Sequence, residues 1–256
     1  MLEAGGVTKC SSCGRRPATY FRRHSGEKLC SACLYRDLIR EIKKSFSLIE
    51  KKGLGLKVAI PIDSGRLVES VVLMRLLSEV EKEFSGEVVG VITEEELLDC
   101  VTDLRGYCND LVFMALDYEE IEENSDVSSA LSSLGARFDV VALPATLDDI
   151  FVSFLKSLVY DHEIAKPKIY VRLGEVEFIF PMYRILKTDL LAFALTSGIL
   201  KGLSHSTCLS LDKSGRPDTL SRLASQLSMK HPELLYRFLY SELSQHPDGS
   251  RGLTKG

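Results

Sequence analysis

Long apolar segments are missing from this chain of 256 residues. No run approaches the ~18 residues that a membrane-spanning helix needs, and the first residues lack the apolar core of a secretory signal peptide. Cysteines are few and odd in number, seven in all, which argues against a framework of disulfides. We therefore expect a cytoplasmic protein with reduced thiols and no membrane anchor.

Four of the cysteines stand as two CxxC pairs, Cys10 with Cys13 and Cys30 with Cys33. Thiolates three residues apart can reach one tetrahedral ion from a tight turn. Two such turns complete a four-sulfur shell that leaves no open position for a substrate. The spacing predicts one structural Zn²⁺, and two disulfides or separate buried thiols are the alternatives.

Charge is unevenly distributed, although the formal net charge is only −4. Residues 1–57 carry thirteen Lys and Arg against five Asp and Glu, whereas residues 58–199 carry eleven against twenty-six. A basic module on an acidic body favours contact with nucleic acid, with Tyr20 and Phe21 as candidate stacking rings. The alternative is a solvated basic face that pairs with the acidic body. The candidate nucleic-acid-binding side chains are Arg15, Arg16, Arg22, Arg23, Lys28, Lys43 and Lys44.

From Lys57 onward, short β-branched runs alternate with helical stretches. This pattern predicts a Rossmann-like α/β fold, a parallel sheet with helices on both faces. The expected organisation is a zinc module (1–36), a basic connecting helix (37–56), the α/β domain (57–200), a C-terminal helical region (201–244) and a disordered tail (245–256).

The individual elements follow from apolar periodicity. Residues 94–126 hold twelve acids and one basic residue, Arg105; a protein-binding face and a solvated edge both fit this stretch. We predict strands at 57–62, 87–92, 111–116 and 138–143, a strand pair near 168–171 and 175–180, and helices at 67–84, 94–105, 126–136, 147–160, 187–197, 219–230 and 232–243.

The turn after the first strand is where such sheets bind a nucleotide phosphate, because unpaired N–H groups of the next helix point there. Residues 61–66 of this turn contain one glycine, whereas a loop that wraps a pyrophosphate usually needs two or more. Asp63 and Glu69 would repel phosphate, and Arg66 partly offsets them. An ordinary connection between strand and helix is the alternative.

The order of these features resembles the tRNA 2-thiolation enzymes of the PP-loop ATP pyrophosphatases. Members carry an N-terminal CxxC…CxxC module, a basic helix, and a strand followed by SGGxDS and a helix. The resemblance covers residues 8–243 and implies tRNA as a partner. Of the SGGxDS motif only Ser70 is kept, with Glu69 at the aspartate position. The resemblance implies an ATP/Mg²⁺ site that includes Ser64, Gly65, Arg66 and Ser70.

A second nucleotide motif of the family, GHNLDDE, corresponds to residues 144–150, which read PATLDDI. Asp148 and Asp149 are kept, and the resemblance assigns them to the nucleotide site. Without the resemblance, they are carboxylates that favour a helix N-terminus.

The sulfur-handling cysteines of the family are mostly absent. This chain has no cysteine between Cys108 and Cys208, so the CxxC pair that precedes the fourth strand in the family is missing. Cys208 falls at the family's third reactive cysteine, and it is the one catalytic candidate. Leu209 and Ser210 replace the proline and tyrosine that follow it in the family.

These departures favour a non-catalytic or impaired relative that binds tRNA, a catalytic paralogue, or a second copy of itself. One alternative is an active ATP-dependent tRNA uridine 2-thiolase, which adenylates the base and then transfers sulfur through a thiol such as Cys208. The other is a repurposed regulatory α/β protein without a tRNA role.

Overall fold

A computed structural model describes residues 8–50, 55–82, 85–92, 97, 112–115, 137–161, 168–205 and 218–243. Cys208 and the predicted tail at 245–256 lie outside the described residues. Apart from residues 97 and 112–115, so do the predicted helices at 94–105 and 126–136 and the acidic stretch 94–126.

The N-terminal module consists of a hairpin and a helix. Its elements are β1 (Tyr20–Arg22), β2 (Glu27–Leu29) and α1 (Ser31–Phe46). The body then follows as β3 (Lys57–Ile62), α2 (Leu67–Glu81), β4 (Glu87–Ile92), β5 (Val112–Ala115), β6 (Val140–Ala142), α3 (Leu147–Lys156), β7 (Tyr170–Leu173), β8 (Val176–Ile179), α4 (Lys187–Thr196), α5 (Ile199–His205), α6 (Thr219–Lys230) and α7 (Pro232–Leu243).

The body is built on one sheet with the strand order β5-β4-β3-β6-β8-β7. All neighbours are parallel except β7, which lies antiparallel to β8 at the edge. The predicted α/β architecture is confirmed, with a mixed sheet in place of a fully parallel one. The strand order reverses between β3 and β6, so their carboxyl ends form the crevice where ligands bind in open α/β sheets.

Both faces of the sheet are buried, as is usual for parallel strands. Val58, Ile60 and Ile62 face α2, and the intervening Ala59 belongs to a second apolar cluster on the opposite face. Gly90 permits the close approach of α2, because a Cβ there would lie 2.6 Å from the sulfur of Met74.

The module packs onto this body through α1. Leu34, Leu38 and Ile42 recur every fourth residue, so they share one face of α1, and they join the core cluster that includes α2 and α4. This explains why α2 is buried almost all round: it is covered by the sheet on one side and by α1 and α4 on the other.

Most predicted elements are confirmed, and those at 57–62, 87–92, 219–230 and 232–243 have the predicted bounds. The connecting helix predicted from residue 37 begins earlier, at Ser31, because the second CxxC pair itself forms the first turn of α1. The hairpin and α5 were not predicted. Among the described residues, no helix is both long and apolar enough to cross a bilayer.

Candidate functional site

The four cysteines predicted as metal ligands converge. Their Sγ atoms all lie within 4.8 Å of one another, and those of Cys13 and Cys30 are 3.9 Å apart. Cys10, Cys30 and Cys33 are buried, and Cys13 is partly buried.

Local backbone geometry places each CxxC pair. In the first pair, Gly14 adopts a positive φ of 64° and donates its N–H to the Cys10 carbonyl at 2.8 Å, which closes a tight turn. In the second pair, Cys30 is the N-cap of α1, and the N–H groups of Cys33 and Leu34 reach its carbonyl. A helix N-terminus favours thiolates in this position.

The pKa values of the Cys10 and Cys33 thiols are shifted in opposite directions. Burial opposes ionisation of Cys10, but the backbone N–H groups of Cys13, Cys30 and Ser12 outweigh it and lower its pKa to about 6. At Cys33 a hydrogen bond from the Ser12 side chain lowers the thiol pKa. Burial and the neighbouring cysteines outweigh that effect and raise the pKa to about 11. A bound cation supplies the charge that lets all four thiols ionise together.

This donor set fits a single tetrahedral ion. Zn–S bonds of ~2.3 Å separate the sulfurs of a tetrahedron by ~3.8 Å, close to the 3.9 Å between Cys13 and Cys30. In a [4Fe–4S] cluster each cysteine binds its own iron, so the sulfurs stand farther apart. Arg36 donates to Cys33 Sγ at 3.1 Å and adds an outer contact of the kind that orients metal ligands.

A largely buried network of ion pairs joins the hairpin of the module to α4. Arg22 contacts three carboxylates: Glu27 at 3.2 Å, Asp37 at 3.1 Å and Asp189 at 3.1 Å. Asp189 also accepts a 2.6 Å hydrogen bond from the Tyr20 hydroxyl. The side chain of Arg22 is only 10% exposed and pairs with three carboxylates, which argues against its prediction as a tRNA contact.

The other predicted nucleic-acid contacts remain at the surface. Arg15, Arg16, Arg23, Lys28 and Lys44 are exposed, and Lys43 is partly so. Two of these also make internal contacts: Arg23 donates to the Met229 carbonyl at 2.9 Å, and Lys44 pairs with Glu41 at 2.8 Å. Their role in binding tRNA stays a prediction.

A cleft of about 1040 Å³ opens where the strand order reverses. The turn after β3 forms one wall with Ser64, Gly65 and Arg66, and α3 contributes Asp148 and Asp149. The start of α4 and one face of α6 complete it. The structure thus brings together five of the six residues predicted to bind a nucleotide.

Ser70 is the exception. It is fully buried, and its hydroxyl donates to the Pro61 carbonyl at 3.0 Å. This residue ties α2 to the preceding strand and is not among the residues that line the cleft, which argues against its prediction as a phosphate contact. The extra residues of the turn carry Ser64–Arg66 through a 3-10 helix before α2 begins.

Three of the four cationic side chains that line the cleft, Arg66, Lys156 and Lys187, pair with carboxylates of the same chain, and the fourth is Arg222. Lys187, which sequence reasoning missed, pairs with the buried Glu69 at 2.5 Å. Burial alone would lower the Lys187 pKa, but Glu69 and the nearby aspartates raise it. Arg66 lies 3.7 Å from Asp149, and Lys156 contacts Asp218 at 2.6 Å.

Asp148 and Asp149 also accept hydrogen bonds that stabilise the fold. Asp149 accepts bonds from the backbone N and the hydroxyl of Thr146 at 2.8 and 2.7 Å, which caps α3. Asp148 accepts from the Lys187 backbone N at 2.7 Å and so joins α3 to α4. Burial raises the pKa of Asp148, although that N–H bond opposes the shift. Their assignment to a nucleotide site stays a prediction.

The comparison with solved structures supports this fold. The U34-tRNA thiolase NcsA from Methanococcus maripaludis, solved with its [4Fe-4S] cluster, matches with a TM-score of 0.66 and 19% identity over 96% of this chain and 89% of that chain. An NAD+ synthetase from Burkholderia pseudomallei matches with a TM-score of 0.44 and 14% identity over 86% of this chain and 95% of that one. No protein-family model and no curated protein matches the chain. The chain therefore shares the α/β fold of that thiolase, in agreement with the resemblance drawn from the sequence.

Proposed function

We propose that this protein is a tRNA-thiolation-type PP-loop protein that binds tRNA, or a catalytic paralogue, without carrying out ATP-dependent chemistry itself. The observation that carries the proposal is the charge pairing in the cleft. Lys187 is held at 2.5 Å by Glu69, which lies in the first turn of α2. A phosphate would have to displace that carboxylate.

The Glu69 carboxylate cannot readily move away from Lys187. The Glu69 side chain is only 5% exposed, and moving an unpaired carboxylate within a low-dielectric interior is costly. The Glu69 carboxylate therefore stays at the start of α2, beside the turn where a nucleotide phosphate would bind, and repels an anion there. The turn offers one glycine, Gly65, where a close backbone cradle needs more.

Zinc is the ion that we propose for the four-cysteine cluster, with a structural role in the reducing cytoplasm. The sulfurs surround one position, and the shell leaves no coordination site for a substrate. The tetrahedral spacing of Cys13 and Cys30 supports one ion per chain. When bound, the ion supplies a cross-link between the first turn of the chain and the start of α1.

The basic surface of the module supports a tRNA partner. Arg15 and Arg16 are exposed beside the metal cluster, on the knuckle turn that follows Cys13. Because the cluster and the ion network around Arg22 fix this turn on the body, a polyanion bound there lies at a defined place relative to the cleft.

Replacing Arg15 and Arg16 together with alanine is expected to weaken tRNA binding. The slope of log K against log salt should fall by about one for each lost phosphate contact. Fluorescence anisotropy with labelled tRNA at several salt concentrations measures both quantities. Arg137→Ala is the matched control, because Arg137 is exposed just before β6, at the opposite end of the strands from the cleft. Equal losses in the two variants would contradict a specific surface.

An active thiolase is the second candidate, and the size of the cleft favours it. A volume of about 1040 Å³ accommodates a nucleotide, and Arg66, Lys187 and two aspartates line it. That candidate requires Mg²⁺-dependent ATP binding despite Glu69, and it requires a sulfur-carrying thiol, for which Cys208 is the sequence candidate.

A further inference from the structure

A second, smaller cavity of about 250 Å³ lies between the hairpin and the α6–α7 junction. We propose that it binds one unpaired base of an RNA strand, and we call it the base pocket. It is lined by Tyr20, Phe21, Arg23, His24, Leu186, Thr188, Ser228, Met229 and Pro232. The proposal rests on the tRNA-directed function and deepens it, because it assigns a base-specific contact to a surface otherwise argued from charge alone.

The walls of the base pocket suit a flat ring. Tyr20, Phe21 and His24 supply three rings, and Leu186 and Met229 supply apolar surface. Phe21 is 53% exposed, so a large aromatic side chain stands in water beside a cavity that a base would fill. Every base has a face that stacks on such rings.

Two of the three rings, those of Tyr20 and His24, are held in place before any ligand arrives. The Tyr20 hydroxyl is anchored by Asp189 at 2.6 Å. The His24 ring packs 4.5 Å from the ring of Tyr236. A preformed stacking site costs little side-chain entropy on binding.

The charges at the base pocket match an anionic strand. Among its lining residues in the described part of the chain there is no Asp or Glu, whereas a pocket for a cationic ligand would be expected to carry one. Arg23 crosses the rim, where it donates to the Met229 carbonyl at 2.9 Å. Its guanidinium has five N–H donors, which leaves others for a base edge or a phosphate.

The base pocket adjoins the cleft, and Thr188, Ser228 and Met229 line both cavities. A strand whose base enters the pocket can therefore place a neighbouring nucleotide on the cleft side. This adjacency favours an RNA chain over a free nucleotide.

The experiment uses the full-length metal-loaded protein and two RNA probes. One is a stem–loop with 2-aminopurine in its unpaired loop, and the other is a fully paired duplex of the same length. The protein is expected to quench the 2-aminopurine. Phe21→Ala should weaken stem–loop binding about tenfold or more, from the typical contribution of one stacked base, and should leave duplex binding unchanged. Phe21→Tyr should restore the affinity.

Leu195→Ala is the control for Phe21→Ala, since Leu195 is also an exposed apolar residue, at 65%, and does not line the base pocket. If both RNAs bind but Phe21→Ala weakens neither, the base pocket is overturned while the tRNA proposal stands. If neither RNA binds above background, the tRNA proposal itself fails. Binding of AMP or UMP as tight as that of the stem–loop would also overturn the proposal, because it would make the pocket a site for free nucleotides.

Discussion

Stripping the metal, or replacing Cys30 with serine, is expected to unfold residues 8–30 of the N-terminal module and to cause the largest loss of stability of any single change. Structural zinc sites contribute an apparent ~10–16 kcal/mol to the folding of small modules at neutral pH. The hairpin has two strands of three residues each, and a pair of short strands is marginal on its own. Without the ion, the turn that carries Cys10 and Cys13 loses its link to the start of α1 and keeps the hydrogen bonds between Ser11 and Lys28 that join it to β2.

Hydrogen exchange after chelation measures this effect along the chain. Protection should be lost over residues 8–30 and should persist in β3 and β4, whose ladder does not depend on the metal. Elemental analysis should find one zinc per chain. Cys100→Ser is the control, because it removes a cysteine that belongs to neither CxxC pair. A metal-free protein with unchanged exchange, or four irons per chain, would contradict the zinc proposal.

Arg22→Met is expected to destabilise the folded protein by about 3–5 kcal/mol, the usual cost of removing one partner from a buried ion pair. The loss would leave Glu27, Asp37 and Asp189 facing one another. Asp37 and Asp189 are 17% and 6% exposed, so water cannot screen their repulsion well.

Arg23→Met is the matched control for Arg22→Met. It changes the neighbouring arginine, which is exposed and makes one 2.9 Å hydrogen bond to the Met229 carbonyl. The expected cost is about 1 kcal/mol. Urea unfolding at fixed metal content measures both variants, and similar midpoints would show that the network around Arg22 does not hold the module to the body.

The sheet and its helices could be predicted because their signals are local. β3 and β4 are continuous apolar runs, and α6 and α7 meet at Pro232, which ends one helix pattern and begins the next. The four cysteines are equally local, since each CxxC pair is recognised from residues three apart. The hairpin could not be predicted, because strands of three residues show no clear alternation.

The roles of Arg22 and Lys187 depend on partners distant in sequence. Arg22 lies in a basic stretch, so the sequence alone indicates a surface cation. Only the folded chain places Asp189 in contact with it. Lys187 belongs to no recognised motif, and only the fold places it beside Glu69. Ser70 shows the opposite case. It keeps a motif position, but it is buried in α2 after the longer turn that follows β3, and its hydroxyl donates to the Pro61 carbonyl.

Titration of the metal-loaded protein with Mg·ATP, with and without tRNA, is the most direct test of the central claim that Glu69 neutralises Lys187 in the cleft. We predict no saturable Mg²⁺-dependent binding and no pyrophosphate release, because Glu69 keeps Lys187 and repels the phosphates. Glu69→Gln should gain affinity for Mg·ATP, whereas Glu79→Gln, on the same helix and paired with the exposed Lys82, should not. Tight Mg²⁺-dependent ATP binding by the unaltered protein, with release of pyrophosphate, would contradict the account.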